Sequence, residues 1–404
     1  PLTLFPYTTL FRSVYFNKVL PLVFYVFIDV IAFSSVIIAV LPFHVMFLGA
    51  GPLVVTLYMS TFSFVQFFAS PYIGRLSDKF GRKPMLITSC IADLFSHSIM
   101  AIASSLNLVL LSRVIAGLFS CNISVGTAYI SDITSSKDRT KYIGYYNAAF
   151  SLGFVIGPIV GGLLAGSDPS NPNYLRANLF AASMNFINLF ILFFFLKSSK
   201  NLIPSYKKTK KFLSEIFSII TNKNVSYLFY LYFLVNFVFS GLNGIFALWS
   251  KEIFNWGPQQ IGFLMCFVGI LLAVHQSLSI NIFVNKYREK KTVFIGIASI
   301  FVGVLFLSFT KNYIILSFAI FFLTLGIGIF NPTINSLISK NIEKSNTGAA
   351  LSINQSAMSI SRFSGQPFAG LFFQSFGYSA PLFVGIAILG IIKVVFGSEL
   401  LNKD

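Results

Sequence analysis

Apolar runs of roughly the 20 residues that a bilayer-spanning helix needs recur along the whole chain, parted by charged turns, and no other feature restricts its fold so tightly. The windows fall at 19–42, 52–73, 85–104, 106–131, 142–166, 177–196, 224–249, 259–283, 292–309, 312–338, 347–373 and 379–398. Of 404 residues, 55% are hydrophobic and only 10% charged, which excludes a soluble globular domain. The fold predicted is an all-α membrane protein of twelve transmembrane helices.

Lysine and arginine fall unevenly on the connections. One side receives Arg75, Lys79, Arg82, Lys83, Lys137, Arg139, Lys141, seven lysines between 197 and 223, Lys286, Arg288, Lys290, Lys291, Lys340 and Lys344; the other receives Arg176, Lys251 and Lys311. By the positive-inside rule the first set is cytoplasmic, and both termini with it. The formal charge of +17 is thereby explained by topology, without a nucleic-acid partner. Cys90, Cys121 and Cys266 each sit in a different span, a set that fits neither a disulfide framework nor a CxxC metal site. The spans hold no nucleophile–base set, metal cluster or nucleotide loop, so no catalytic residue, metal or cofactor is expected.

The long hydrophilic stretch 197–223 separates six windows from six. It reads as a basic cytoplasmic linker, its lysines suited to anionic headgroups, between an N-terminal half at 14–196 and a C-terminal half at 224–404. Residues 1–13 are set aside, because TLFPYTTLFRS at 3–13 is what one frame of a common sequencing adapter encodes. Each half has a charged turn between its second and third windows, GRLSDKFGRKPM at 74–85 and VNKYREKKTVFIG at 284–296. Two repeated six-helix halves with a site near mid-membrane are the plan of rocking secondary transporters.

The residues that carry a family resemblance lie in three places. Gly74-Arg-Leu-Ser-Asp78-Lys-Phe-Gly81-Arg82-Lys83 forms a charged loop; Leu111-Ser-Arg113-Val-Ile-Ala-Gly117 runs on toward Asp132 along the fourth span; Gly144, Gly153, Gly157, Pro158, Gly161 and Gly162 punctuate the fifth. Together they resemble the major facilitator superfamily and, within it, the twelve-helix drug:proton antiporters that include the tetracycline exporters. The resemblance implies a monomeric exporter in the inner membrane whose partners are protons, a small-molecule substrate and lipid. It further implies that Asp78 docks on the start of the eleventh span when the cytoplasmic side is closed, with Arg82 near Asp132. An importer or facilitator on the same fold is the alternative, and a transport-dead sensor the more distant one.

The fifth span also has a physical reading. Positions four apart on an α-helix drift by only about 40°, so Ala149, Gly153, Gly157, Gly161 and Ala165 form one stripe of small residues. Such stripes let helices pack backbone to backbone, and Pro158 removes one helical hydrogen bond. A close, bendable contact with the opposite half is expected, or else ordinary tight packing; Gly144 and Gly162 lie off the stripe. In the charged loop, glycines 74 and 81 suggest a sharp turn, and Ser345-Asn-Thr347-Gly348 suggests a cap opening the eleventh span.

Among twelve acidic residues only Asp29 and Asp93 lie deep inside spans, where a carboxylate is functional by default. Asp29 is expected to bind the proton with Arg113 as the cation that tunes it; a purely structural Asp29–Arg113 pair is the alternative. Arg362 is open to contact with substrate or to capping a carbonyl. The amides within the spans, Gln66, Asn122, Asn147, Asn236, Asn243, Gln276, Asn331, Asn335, Asn354, Gln355 and Gln366, beside many phenylalanines suit an amphipathic compound or else join helices, with Asn243, Asn335 and Gln355 the favoured contacts. Where the tetracycline exporters carry an acid, a histidine and an acid on spans three, eight and nine, this chain aligns Ser96, Leu272 and Ile300, with Asp93 and His275 one turn nearer the cytoplasm.

Overall fold

The computed structural model describes residues 16–198, 223–342 and 347–401. The expected linker and the segment 1–13 lie almost wholly outside the described residues, as do Ser345 and Asn346 of the expected cap. The described chain is helical, in the order α1 Phe16–Ile37, α2 Leu41–Phe47, α3 Pro52–Phe80, α4 Arg82–Ala101, α5 Leu106–Phe119, α6 Asn122–Ile133, α7 Ser136–Ala165, α8 Tyr174–Phe194, α9 Lys223–Phe254, α10 Pro258–Val274, α11 Ile280–Ser308, α12 Tyr313–Lys340, α13 Thr347–Phe376 and α14 Ala380–Leu401. Helix is what hydrocarbon demands, since it satisfies every backbone N–H and C=O within the segment.

Among the described residues, ten stretches are long and apolar enough to cross a membrane. One of them, Pro258–Ser308, has 51 residues and holds two of the expected spans, divided where Arg288 leaves helical geometry at φ 61°. The eleventh expected span, α13, is fully helical but too polar to count among the ten. Several helices overrun their apolar windows on the charged side: α3 continues to Phe80 and α7 begins at Ser136. Charged side chains there reach the interface from helical backbone, and the helix has no reason to stop where hydropathy does.

The described residues fall into two compact units. The first gathers those of Pro1–Leu48, Val65–Ser205 and Gly257–Phe263, the second those of Gly49–Phe64, Tyr206–Trp256 and Leu264–Asp404. In the first, α1 packs on α7, and α4 on α5 and α8; in the second, α9 packs on α13, and α11 on α12 and α14. Counted by spans, one on five, three on four and three on six in the first unit recur as seven on eleven, nine on ten and nine on twelve. The internal repeat suggested by the two charged turns is thus also a repeat of helix partners.

Candidate functional site

The first unit brings two intramembrane acids, a guanidinium and a ring of hydroxyls together around Asn122. Tyr25 and Asp29 are one turn apart on α1, and Ser89, Asp93 and His97 are successive turns of α4, so each helix presents its polar groups along one face. The fourth span is broken: α5 ends at Phe119, Ser120 is extended, and α6 starts at Asn122. The break places the Asn122 side chain among the others. Its Nδ2 donates to Asp29 Oδ2 at 2.6 Å, and its Oδ1 accepts from Ser89 Oγ at 2.7 Å and Tyr25 Oη at 2.9 Å. Tyr146 Oη donates to the Asn122 carbonyl at 2.8 Å, an approach open because Gly126 has no side chain in the way. The break itself is held by Gln66 Nε2, which donates to Ser120 Oγ at 2.9 Å.

Asp29 is buried and Arg113 is almost completely so. Asp93 lies against the Asn122 amide and within the fields of both Asp29 and Arg113. Arg113 therefore faces Asp93 and, on the next turn, His97, while the Asp29 carboxylate is hydrogen-bonded to Asn122. Sequence reasoning named both acids and the arginine and had no means of ranking Asn122 above the other amides. The residue at the aligned acid position, Ser96, is buried and donates to the Ser112 carbonyl at 2.9 Å.

The charged loop at 74–85 turns once. Gly81, at φ 97°, separates α3 from α4, a backbone that favours glycine. Gly74, expected to share in the turn, is inside α3 with open space at its Cβ position. Arg82 bridges Asp78 at 2.6 Å and Asp132 at 3.0 Å, and donates to Ser77 Oγ at 2.9 Å. Lys83 Nζ donates to the carbonyls of Phe193 and Leu196 at 2.9 and 2.7 Å, closing the end of α8. The second unit repeats this device with the charges exchanged. Glu289, next to the kink at Arg288, accepts from Ser336 Oγ at 2.7 Å and Lys340 Nζ at 2.8 Å.

The stripe on α7 packs on α1, a correction to the expectation that the stripe itself meets the opposite half. A side chain at Gly153 would meet Val30, one at Gly157 would meet Ser34, and one at Gly161 would meet the backbone of Ser35. Ser34 Oγ also donates to the Gly153 carbonyl at 3.2 Å. Another face of α7 touches the C-terminal half of the sequence: Gly162, off the stripe, meets the backbone of Pro258 and Gln259 at the start of α10, where Gly262 in turn meets the carbonyl of Pro158. A side-chain carbon at Gly144 would meet no neighbouring element within 4 Å among the described residues. Small residues announce close packing without naming the partner, and two faces of α7 use them.

The five residues expected to share a substrate cavity are dispersed within the second unit. Asn243 lines a cavity of about 60 Å³ with Phe239, Phe246, Met265, Leu272 and Thr324, well below the several hundred Å³ of a drug-sized site. His275 is buried on a π-helical turn, His275–Ser279, with Nδ1 3.0 Å from Ser279 Oγ and its ring against Phe321. Asn335 accepts from Asn354 at 2.6 Å, Gln355 is exposed, and Arg362 is half-buried beside Met358 and Tyr232.

Comparison with known proteins fits this architecture. The chain is 27% identical over 293 residues to the class H tetracycline resistance protein of Pasteurella multocida, covering 72% of each. It is 25% identical over 365 residues to multidrug resistance protein 2 of Bacillus subtilis, covering 88% of each. The fold is shared with the crystal structure of the nucleoside transporter NupG, at a TM-score of 0.77 and 12% identity over 96% of this chain and 100% of that one. The profile of the Major Facilitator Superfamily matches residues 22–366, and this chain belongs to that superfamily of multi-pass membrane transporters.

Proposed function

We propose that this chain is a proton-coupled antiporter that exports a small amphipathic organic compound across a bacterial inner membrane, by alternating access between halves 14–196 and 224–404 joined by the linker 197–223. The observation that carries the reading is the group of Asp29, Asp93, Arg113 and Asn122, with Asp29 and Arg113 buried and Asp93 and Asn122 half-buried. Two acids and one guanidinium leave one negative charge over when all are ionised, and one proton removes it. Charge is costly in a low-dielectric interior, so a single proton entering or leaving this group changes what the surrounding spans can adopt. Asn122 ties that change to α1, α4, α6 and α7 together.

Export direction is supported by the relatives named for tetracycline and multidrug resistance, and by the glycine pattern of α7. Tetracycline itself is disfavoured as the cargo. Ile300, aligned with an acid in the tetracycline exporters, is an apolar side chain fully buried against Gly326 of α12. Arg82, bridging Asp78 and Asp132, is the cytoplasmic latch in this reading.

Everted vesicles test coupling and direction together. With a transported compound, the expected result is substrate accumulation and alkalinisation of the lumen, both abolished in Asp29→Asn at equal protein level. Full exchange in Asp29→Asn rejects the proton site; substrate uptake by intact cells that falls when the protein is deleted identifies the importer instead.

A further inference from the structure

Both units carry an arginine inside their spans, and the surroundings of the two differ in one respect. Arg113 has Asp93 beside it. Arg362, halfway along α13, has no carboxylate paired with it among the described residues. The described acids of the second unit are at helix ends or at the kink of α11: Glu252 near the end of α9, Glu289 beside the kink and held by Ser336 and Lys340, and Glu399 near the end of α14. The contact of the Arg362 guanidinium is with sulfur, Nη2 lying 3.6 Å from Met358 Sδ. Tyr232 of α9 reaches the same sulfur with its hydroxyl at 3.7 Å and feels the guanidinium charge.

The neighbourhood is a polar island with aromatic walls. Tyr232 stacks on Phe330 of α12, ring centroids 6.5 Å apart. One turn along α9, Asn236 donates to Asn331 Oδ1 at 3.3 Å. Arginine keeps its charge in any protein setting, and a guanidinium inside a span without an anion is a state that a ligand can relieve. Its planar donor fork matches a carboxylate, sulfonate or phosphate group, while a thioether is a weak acceptor that an anion readily displaces.

We propose that Arg362 and Tyr232 form the anion-binding end of the substrate site, so that the cargo is an amphipathic molecule bearing a carboxylate or equivalent acidic group, with its apolar body against the half-buried Phe233 of α9, whose carbonyl accepts from Ser361 beside Arg362. The inference rests on the transporter reading for the ligand being cargo, and on neither its direction nor its proton coupling.

The test is equilibrium binding to the purified full chain in nanodiscs of zwitterionic lipid, which supply no competing anionic headgroup. The probes are benzoate, naphthylacetate and deoxycholate, each beside its neutral primary amide. Wild type is expected to bind at least one carboxylate about tenfold or more tightly than its amide, the margin of a charge-assisted hydrogen-bonded pair. Arg362→Gln brings that ratio to near one, and Arg362→Lys restores part of it. Equal binding of acid and amide by wild type, binding of neither, or an unchanged ratio in a monodisperse Arg362→Gln protein overturns the proposal. A wild-type preference for the acid that depends on Arg362, in a protein whose vesicles show no proton exchange, upholds the anion site and rejects the antiporter reading alone.

Discussion

Asn122 carries more structural consequence than its residue type discloses. It is one amide among many in the spans, yet its side chain meets Asp29, Ser89 and Tyr25 while its carbonyl meets Tyr146. Hydrogen bonds to a charged group are worth about 1.5–3 kcal/mol, so Asn122→Leu is expected to slow proton-driven exchange about tenfold or more, with substrate binding in nanodiscs little changed. Equal exchange rates in the two proteins would remove Asn122 from the coupling group. Arg82→Lys makes a second prediction at this scale. A lysine cannot reproduce the fork that holds Asp78, Asp132 and Ser77 at once, so transport should fall several-fold while membrane insertion, measured by surface labelling, is kept. Asp29, Asp93 and Arg113 were legible in the sequence because charge inside a span is rare and costly. Asn122 was not, because an amide in a span serves equally often to join helices.

The elements were legible wherever hydropathy sets them and obscure wherever tertiary contacts do. Nothing in Leu118-Phe-Ser-Cys-Asn122 signals a break: there is no proline, and the gap between α5 and α6 is held by contacts such as that of Gln66 with Ser120. The π turn at His275–Ser279 is similarly silent in the sequence. The glycines of α7 show both sides of the matter, since their spacing gave the stripe but not α1 as its partner. Their substitutions should separate sharply. Gly161→Ala places a methyl against the backbone of Ser35 and is expected to destabilise by roughly 1–3 kcal/mol, as overpacking does. Gly144→Ala meets nothing and should be neutral or stabilising by up to about 1 kcal/mol through helix propensity. Thermal unfolding in detergent compares the two; equal loss in both would contradict the packing described for α7.

At the scale of the whole molecule the two inferences together fix the electrical behaviour of transport. Export of a monoanion against entry of one proton moves two elementary charges, so 100 mV contributes about 4.6 kcal/mol, twice the single-charge value, against about 1.4 kcal/mol from one pH unit. Collapsing the membrane potential with valinomycin and potassium should therefore lower the accumulation ratio in everted vesicles far more than collapsing the pH gradient with nigericin. A neutral cargo would give more nearly matched losses. The repeat of helix partners was only partly legible, because the second charged turn bends at Arg288 where the first bends at Gly81 and has exchanged its charges, Glu289 to Lys340 in place of Arg82 to Asp132. One stretch of the C-terminal half, Gly257–Phe263, nevertheless belongs to the first unit, seated where Gly162 and Pro158 leave room for it. A gene fragment ending in the linker would accordingly make a half-protein with an unfilled socket on its fifth span, and a second fragment supplied in trans brings the peptide cut to fit it.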